Sequence, residues 1–386
     1  MKLLVVAQSY SSYILSNPLY VAQGLAERGH DVQFLTTQGH AAREVPYPVA
    51  DDVWRSRWKF ELRTVRHVGV LKDDVLCPPP FGLLDADYDF VLLQEDYPLL
   101  SQYCGLWTIR RAIPLIISTE RYYHPPDPWG RRLLKLMDRT IHPVMWFHSS
   151  KITFHSRASS LFFRSLGAPQ DRFEYIPSGL DAQRFSTAQI TPAKDVFSSS
   201  EDTTRLLCVA RLHPYKGIRF LLDAMAISIR QGLQLELRVI GRGGLEATLR
   251  EKVRQLHLDN AVSLLTVPIP NDRMPSVYPA CDIYVQPSVV EPFGTAVAEA
   301  MASGKPVIGS KVGGIQDLVS DGETGLLVPP GDSAGIAKAI RTLAMDPSLR
   351  LNMGFAARER ANSVFDYRVQ SRQYEALMND AKRSNL

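Results

Sequence analysis

Residues 291–314 read EPFGTAVAEAMASGKPVIGSKVGG, two carboxylates eight positions apart around a Phe-Gly-Thr turn. Residues 283–286 before it have the apolar run of a short buried strand, and 296–301 after it run as a helix. A strand, a glycine turn and a helix in that order predict one unit of a parallel α/β sheet. Gly294 lets backbone come close to a ligand, and the free N–H groups of the helix's first turn form a phosphate site. Glu299 lies roughly 8 Å along the axis from the turn at a rise of 1.5 Å per residue, while Glu291 sits on the loop before the helix. Read singly, Glu299 is a solvated helix-face carboxylate and Glu291 a loop charge. Read together, they bracket a long ligand with hydroxyls at both ends and phosphate between them, as in a nucleotide diphosphate sugar.

A second stretch, RLLCVARLHPYKGIRFLLDAMA from residue 205, repeats the pattern: a buried strand at 206–210, then apolar residues at helical spacing from Gly217 onward. Arg211 and Lys216 fall on the loop between them, at the edge of an open α/β sheet where ligands bind. Two cations there suit a departing diphosphate. Either alone is equally a solubilising surface charge. Between the two stretches, a strand at 235–240 runs into Gly241-Arg242-Gly243-Gly244, and 262–267 into a Pro-rich loop. Gly241 thus allows close backbone approach to a phosphate or base, or is simply a turn.

These residues resemble the donor-site signature of the retaining glycosyltransferase family 4, the glycosyl transferases group 1. The Glu, the seven residues after it and the second Glu follow a strand as they do there. The resemblance implies a GT-B fold: two Rossmann-like α/β domains facing a central cleft. It implies that Glu291 contacts the donor sugar and Glu299 the ribose, that Arg211 and Lys216 hold the diphosphate, that Phe293, Gly294 and Thr295 line the donor, and that Val267 marks the backbone around the base. It is close from 205 to 332, and looser before that, where a variable acceptor is held.

The chain has 386 residues, 45% of them hydrophobic, enough for two cores. Its formal net charge of +4 is small for this size and argues against a nucleic-acid partner. Cys77, Cys104, Cys208 and Cys281 lack metal-ligand spacing and read as buried thiols of a reducing compartment. No cofactor or metal is expected, and Asp85-Ala86-Asp87 reads as a turn rather than a divalent-ion motif. The expected division is a first domain at 1–187, a Ser/Thr/Pro-rich linker at 188–204, a donor domain at 205–364 and a tail at 365–386 crossing back onto the first domain. Met1 opens a strand too short to be a signal-peptide core, and no apolar run is long enough to span a bilayer, so a cytoplasmic protein is expected.

The first domain departs from the family at two places. Ser9-Tyr10-Ser11-Ser12 stands where many members carry a Gly-Gly pair, which makes Ser9 and Tyr10 acceptor-side candidates. Glu120 stands where many carry a His. It either orients the acceptor hydroxyl or the sugar's 6-hydroxyl, or pairs with Arg121 or another nearby cation. His124 could substitute for the missing imidazole or be merely exposed, and His155 could face the cleft or be a packed or solvated histidine. Trp54-Arg-Ser-Arg-Trp-Lys-Phe60, with Trp107, Arg110, Arg111, Arg121, Trp129, Arg131, Arg132, Lys135 and Arg139, mixes aromatics and cations. That mixture fits peripheral contact with an anionic membrane at its inner face, or a solvated helix face over buried tryptophans.

The function expected is transfer of a hexose or related sugar, with retention, from a UDP- or GDP-linked donor to a glycan, lipid-linked or small-molecule acceptor. The front-face reaction needs no metal: the leaving phosphate takes the acceptor's proton. The alternatives are a non-catalytic partner that keeps the fold and binds sugar nucleotide, or a GT-B epimerase or phosphorylase.

Overall fold

The structure is a computed structural model, and it describes residues 1–9, 17–37, 58–66, 69–71, 74–84, 87–124, 127–186, 191–193, 195–197, 202–267 and 269–384. The chain divides into two compact units, 1–179 with 367–386, and 180–366.

The first unit is built on a parallel sheet of β1 (Lys2–Ser9), β2 (Asp31–Thr37), β3 (Glu61–Val65), β6 (Phe90–Gln94), β7 (Leu115–Thr119), β8 (Lys151–Phe154) and β9 (Phe173–Tyr175). A small antiparallel pair, β4 (Gly69–Leu71) and β5 (Asp74–Leu76), stands apart. The order β3-β2-β1-β6-β7-β8-β9 reverses between β1 and β6, which makes their carboxyl ends a topological switch point. The near-continuous apolar runs of β1 and β6 are buried on both faces, as a parallel sheet covered by helices requires.

The helix Asn17–Glu27 starts at the Asn-Pro pair and ends at Gly29, whose φ of +85° L-residues rarely adopt. Helix Tyr367–Ser384 lies against it: the Tyr20 and Tyr367 rings stack at 5.3 Å, and the buried Tyr374 hydroxyl meets Ser118 and Thr153 hydroxyls at 2.9 and 3.1 Å. Asn17 Oδ1 accepts from the Gly179 N–H and from Gln370 Nε2, which ties the two chain segments of this unit together.

The second unit's sheet contains β10 (Thr204–Val209), β11 (Leu235–Ile240), β12 (Val262–Leu265), β13 (Ile283–Gln286), β14 (Val307–Ser310) and β15 (Gly325–Val328). All pairings are parallel, in the order β12-β11-β10-β13-β14-β15, with the reversal between β10 and β13.

The division falls at Gly179 and Leu180 rather than at 187 and 188. The short helix Ala182–Ser186 places Phe185 on the Tyr278 ring, 5.8 Å between centroids, inside the second core. The described residues of the expected linker likewise belong to that unit. Val196 is buried there, its carbonyl accepts from Arg238 Nε, the Ala193 N–H donates to the Ser276 carbonyl, and Asp195 pairs with Arg273 at 2.6 Å. A polar composition suggested a free segment, but Val196, with Ala193 and Phe197 packed beside it, seats the segment on that core. Phe365 also stays with the second unit, its ring 6.2 Å from that of Phe293.

Candidate functional site

The loops after β10 and β13 meet at the switch point of the second sheet. The Val289 and Val290 N–H groups both donate to the Tyr215 carbonyl, at 2.7 and 3.2 Å. Gly217 has φ +67°, and a Cβ there would sit 2.0 Å from the Pro287 carbonyl oxygen, so only glycine allows the two loops to close. Closure delivers Lys216 to Glu291. Its ammonium donates to both carboxylate oxygens, at 2.8 and 2.7 Å, with both side chains buried. The Ser288 hydroxyl at 2.9 Å and Gln286 Nε2 at 3.4 Å also donate to Glu291 Oε2, satisfying the charge that burial would otherwise penalise.

Arg211, which is exposed, lies over the other part of this loop. Its guanidinium is 5.6 Å and the Lys216 ammonium 5.4 Å from the centre of the Tyr215 ring, and His213 packs 4.1 Å from the same ring. The two cations predicted from the sequence are therefore organised by one aromatic side chain between them. Tyr215, Ser288 and Gln286 were not among the predicted residues. The run Gln286-Pro-Ser288 at a strand's end is the signal that marks the last two.

Helix Thr295–Ala302 begins at Gly294, whose φ is +105°. No side chain caps it, which leaves the first-turn amides of an eight-residue helix without a capping group beside Glu291. The glycine pair that ends the stretch has a mechanical role: a Cβ on Gly314 would meet Phe293 Cα at 2.5 Å, and the Gly314 N–H donates to the Glu291 carbonyl at 3.0 Å. Glu299 is part-buried and accepts from the Tyr278 hydroxyl at 2.5 Å. Loss of solvation pushes its carboxyl up to about 7, with the Tyr278 bond and Arg184 pulling the other way. Tyr278 could not be found from the sequence, because it reaches Glu299 from a separate short helical turn.

Three further expected residues of this unit are placed as follows. The Phe293 ring lies in the core, so a donor contact there falls to its main chain. A Cβ on Gly241 would sit 1.9 Å from the Ala210 carbonyl oxygen and its N–H donates to Leu265, so this glycine serves the approach of one loop to another. Val267 is exposed at the end of β12.

In the first unit Glu120 does not pair with Arg121. It accepts from the Ser178 hydroxyl at 2.9 Å, and its own N–H donates to Glu95 at 2.7 Å. Arg121 is buried instead between Asp96 and Asp138, at 3.1 and 2.8 Å, and is removed from the surface cations. His124 belongs to this same ion cluster, Nε2 to Asp138 at 2.8 Å, with His142 on the other Asp138 oxygen. It is anchored rather than offered to a ligand. His155 is packed: burial holds it below the usual imidazole range, and it bonds to the Ile176 carbonyl and the Ser118 hydroxyl. Ser9 ends β1, and Tyr10 lies outside the described residues. Trp107 is core, and residues 54–57 are likewise outside the described set. Among the described residues no group of three or more His, Cys, Asp or Glu side chains is arranged to hold a metal ion, and Cys77, Cys104, Cys208 and Cys281 are all buried. Asp87 pairs with Lys2 at 2.6 Å.

Comparison with known proteins agrees with this architecture. The family description "Glycosyl transferases group 1" matches residues 190–360, and "Glycosyl transferase 4-like domain" matches 19–179. The chain is 34% identical over 201 residues to a D-inositol 3-phosphate glycosyltransferase of Pseudarthrobacter chlorophenolicus, 51% of this chain and 48% of that protein. It thus spans about half the length of that relative. It is 28% identical over 370 residues to an N-acetyl-alpha-D-glucosaminyl L-malate synthase of Bacillus anthracis, covering 94% and 92% of the two chains. Anabaena Alr3699/HepE in complex with UDP superposes with a TM-score of 0.78 at 20% identity, over 98% and 100% of the chains. Sucrose-phosphate synthase from Thermosynechococcus elongatus gives 0.76 at 21%, over the full length of both. Two parallel α/β units, the switch-point loops and these matches lead to one conclusion: the chain has the GT-B fold and belongs to the group 1 glycosyl transferases of family 4.

Proposed function

We propose that the chain moves a hexose or related sugar, with retention, from a UDP- or GDP-linked donor to a hydroxyl of a glycan, lipid-linked or small-molecule acceptor. The observation that carries this is the meeting of Lys216 with Glu291 beside the uncapped start of helix Thr295–Ala302. An ammonium has three donor hydrogens, and Glu291 takes two. The third, with Arg211 and the first-turn amides, fits the oxygens of a diphosphate. Glu291 then borders the sugar, and Glu299 suits the ribose hydroxyls. As the bond from the anomeric carbon to the diphosphate breaks, the negative charge grows on phosphate oxygens that these donors already face. The same phosphate takes the proton of the attacking acceptor hydroxyl on the same face of the sugar. The reaction balances with no further acid or base, and activity is expected to survive a chelator. Relatives named as glycosyltransferases, and neighbours whose structures hold UDP or UDP-glucose, support a nucleotide-sugar donor.

The test is release of nucleoside diphosphate from UDP-glucose, UDP-N-acetylglucosamine and GDP-mannose. One donor should be consumed by the native chain, with EDTA present, and by the Lys216→Ala variant on the order of 10²–10³ more slowly. Consumption of none, or an unchanged Lys216→Ala rate, would refute the reading.

The membrane expectation narrows to one helix. Pro128–Met137 contains no buried residue; Trp129, Leu133 and Leu136 share one face with exposures of 73%, 51% and 57%. Arg131, Arg132 and Lys135 lie on the adjoining face, with no acidic residue in the helix. An apolar stripe beside a cationic one matches an anionic bilayer surface. No helix among the described residues is long and apolar enough to cross a membrane. Sedimentation with phosphatidylcholine vesicles containing about a third phosphatidylglycerol should capture the chain at low salt and release it at high salt. Arg132→Glu with Lys135→Glu should abolish capture. Equal capture by pure phosphatidylcholine, or by that double variant, would contradict it.

A further inference from the structure

The switch point of the first sheet carries a residue that the reading above does not use. Glu95 follows β6 directly and has φ +76°, a left-handed backbone that a residue with a Cβ rarely holds. Among the described residues the other non-glycine positions with positive φ, Ala112 and His257, lie at or just past the ends of helices, where that conformation is usual. Glu95 has no such excuse. The turn sends its side chain sideways to the end of β7, where Oε2 accepts from the Thr119 hydroxyl at 2.6 Å and Oε1 from the Glu120 N–H at 2.7 Å. The Thr119 hydroxyl in turn accepts from the Arg121 N–H at 3.0 Å. One carboxyl group therefore bonds Thr119 and Glu120 directly and reaches Arg121 through the Thr119 hydroxyl, with Glu120 in the middle.

We propose that Glu95 is a positioning residue: across the gap between β6 and β7 it pins the turn at residues 119–121 and so fixes where the Glu120 carboxylate points. The inference rests on the glycosyltransferase reading only for what Glu120 then does, which is to orient a substrate hydroxyl. The pin itself is a property of the first unit. Loss of solvation pushes the Glu95 carboxyl up to about 8, against the bonds from Thr119 and Glu120, and the nearby carboxylates of Glu120 and Asp96 add to the rise. Arg121, the one cation of this turn, is held between Asp96 and Asp138. Ionisation above pH 8 would set a third charge against Glu120 and Asp96 and loosen the turn.

Two readouts on the full chain test the pin. Hydrogen exchange reports the Glu120 amide, and diphosphate release from whichever of the three sugar nucleotides above is consumed reports function. Glu95→Ala should raise exchange at Glu120 by about a hundredfold, the loss of one part-buried hydrogen bond with its neighbours. Glu95→Gln, which can still accept from that N–H, should keep protection and restore turnover. Glu95→Ala and Glu120→Gln should slow release similarly, and the double variant no further, since both act through one group. The native rate should decline above pH 8 while that of Glu95→Gln stays level. Unchanged Glu120 exchange in Glu95→Ala would overturn the proposal, as would additive losses in the double variant. Raised exchange, with Glu120→Gln fully active, would leave the pin in place and remove Glu120 from the chemistry instead.

Discussion

The two units place opposite chemistry at equivalent points of the same topology. In each, the sheet order reverses once, and the loops beside that reversal carry the polar side chains. In the second unit the loops are drawn together by glycine, and the result is a buried ammonium–carboxylate pair next to a helix start that no side chain caps. In the first unit no cation among the described residues pairs with Glu95 or Glu120; carboxyl groups meet hydroxyls and N–H groups, and the nearby Arg121 is locked in its own cluster. Anion binding needs convergent donors, and hydroxyl binding needs acceptors. One topology has supplied both by changing which residues end its strands.

The largest expected effect breaks the cationic side. Glu291→Gln removes one charge of a buried pair and leaves Lys216 uncompensated, so release of diphosphate should fall by about 10²–10³ and the chain should lose about 3 kcal/mol of stability in urea titration. A loss no greater than that of an exposed Glu-to-Gln change would show the pair to be incidental. Next comes loop closure: Gly217→Ala must displace the Pro287 carbonyl, and should cost about tenfold or more in turnover with the fold retained by circular dichroism.

The hydroxyl-binding side is sharpened by Glu120→Gln, expected to lower turnover about tenfold while leaving nucleotide affinity near native by calorimetry. A change in affinity of the same size would move Glu120 to the donor. Smaller still is the effect of pH on the donor. Glu299 is ionised above about 7, and ribose hydroxyls favour the ionised acceptor, so affinity for the nucleoside diphosphate should weaken a fewfold as pH drops below 7. Glu299→Gln should flatten that dependence. In the first unit the pH response is read in stability. The folded chain holds the Glu95 proton between 4.5 and about 8, whereas the unfolded chain has released it, so stability declines as pH rises across that window, by at most about 1.4 kcal/mol per unit. Glu95→Gln should flatten the part of that slope between about pH 7 and 8, above the range in which Glu299 titrates.

Much of the second unit was legible because its elements are local. β11 and β13 fall at the residues that their apolar runs marked, and helix Thr295–Ala302 extends the expected 296–301 by one residue at each end. Arg211 and Lys216 fall after β10, and Glu291 and Glu299 after β13, as the apolar runs before them implied, while the roles expected of them came from the family resemblance. The boundary at Gly179, the burial of Val196 and the core position of Phe293 were not, since each depends on which apolar surface was free to receive it.

Sequence alone determined the alternation of strand and helix, and therefore the parallel sheets, because burial on both faces demands continuous apolar runs at fixed spacing. Only the tertiary structure decided which charges are neutralised. Lys216 found Glu291 across 75 positions, Arg121 chose Asp96 and Asp138 over its neighbour Glu120, and His124 joined them. The physical reason is that a buried charge is settled by whichever partner the packed backbone brings within about 3 Å, and adjacency along the chain says little about that distance.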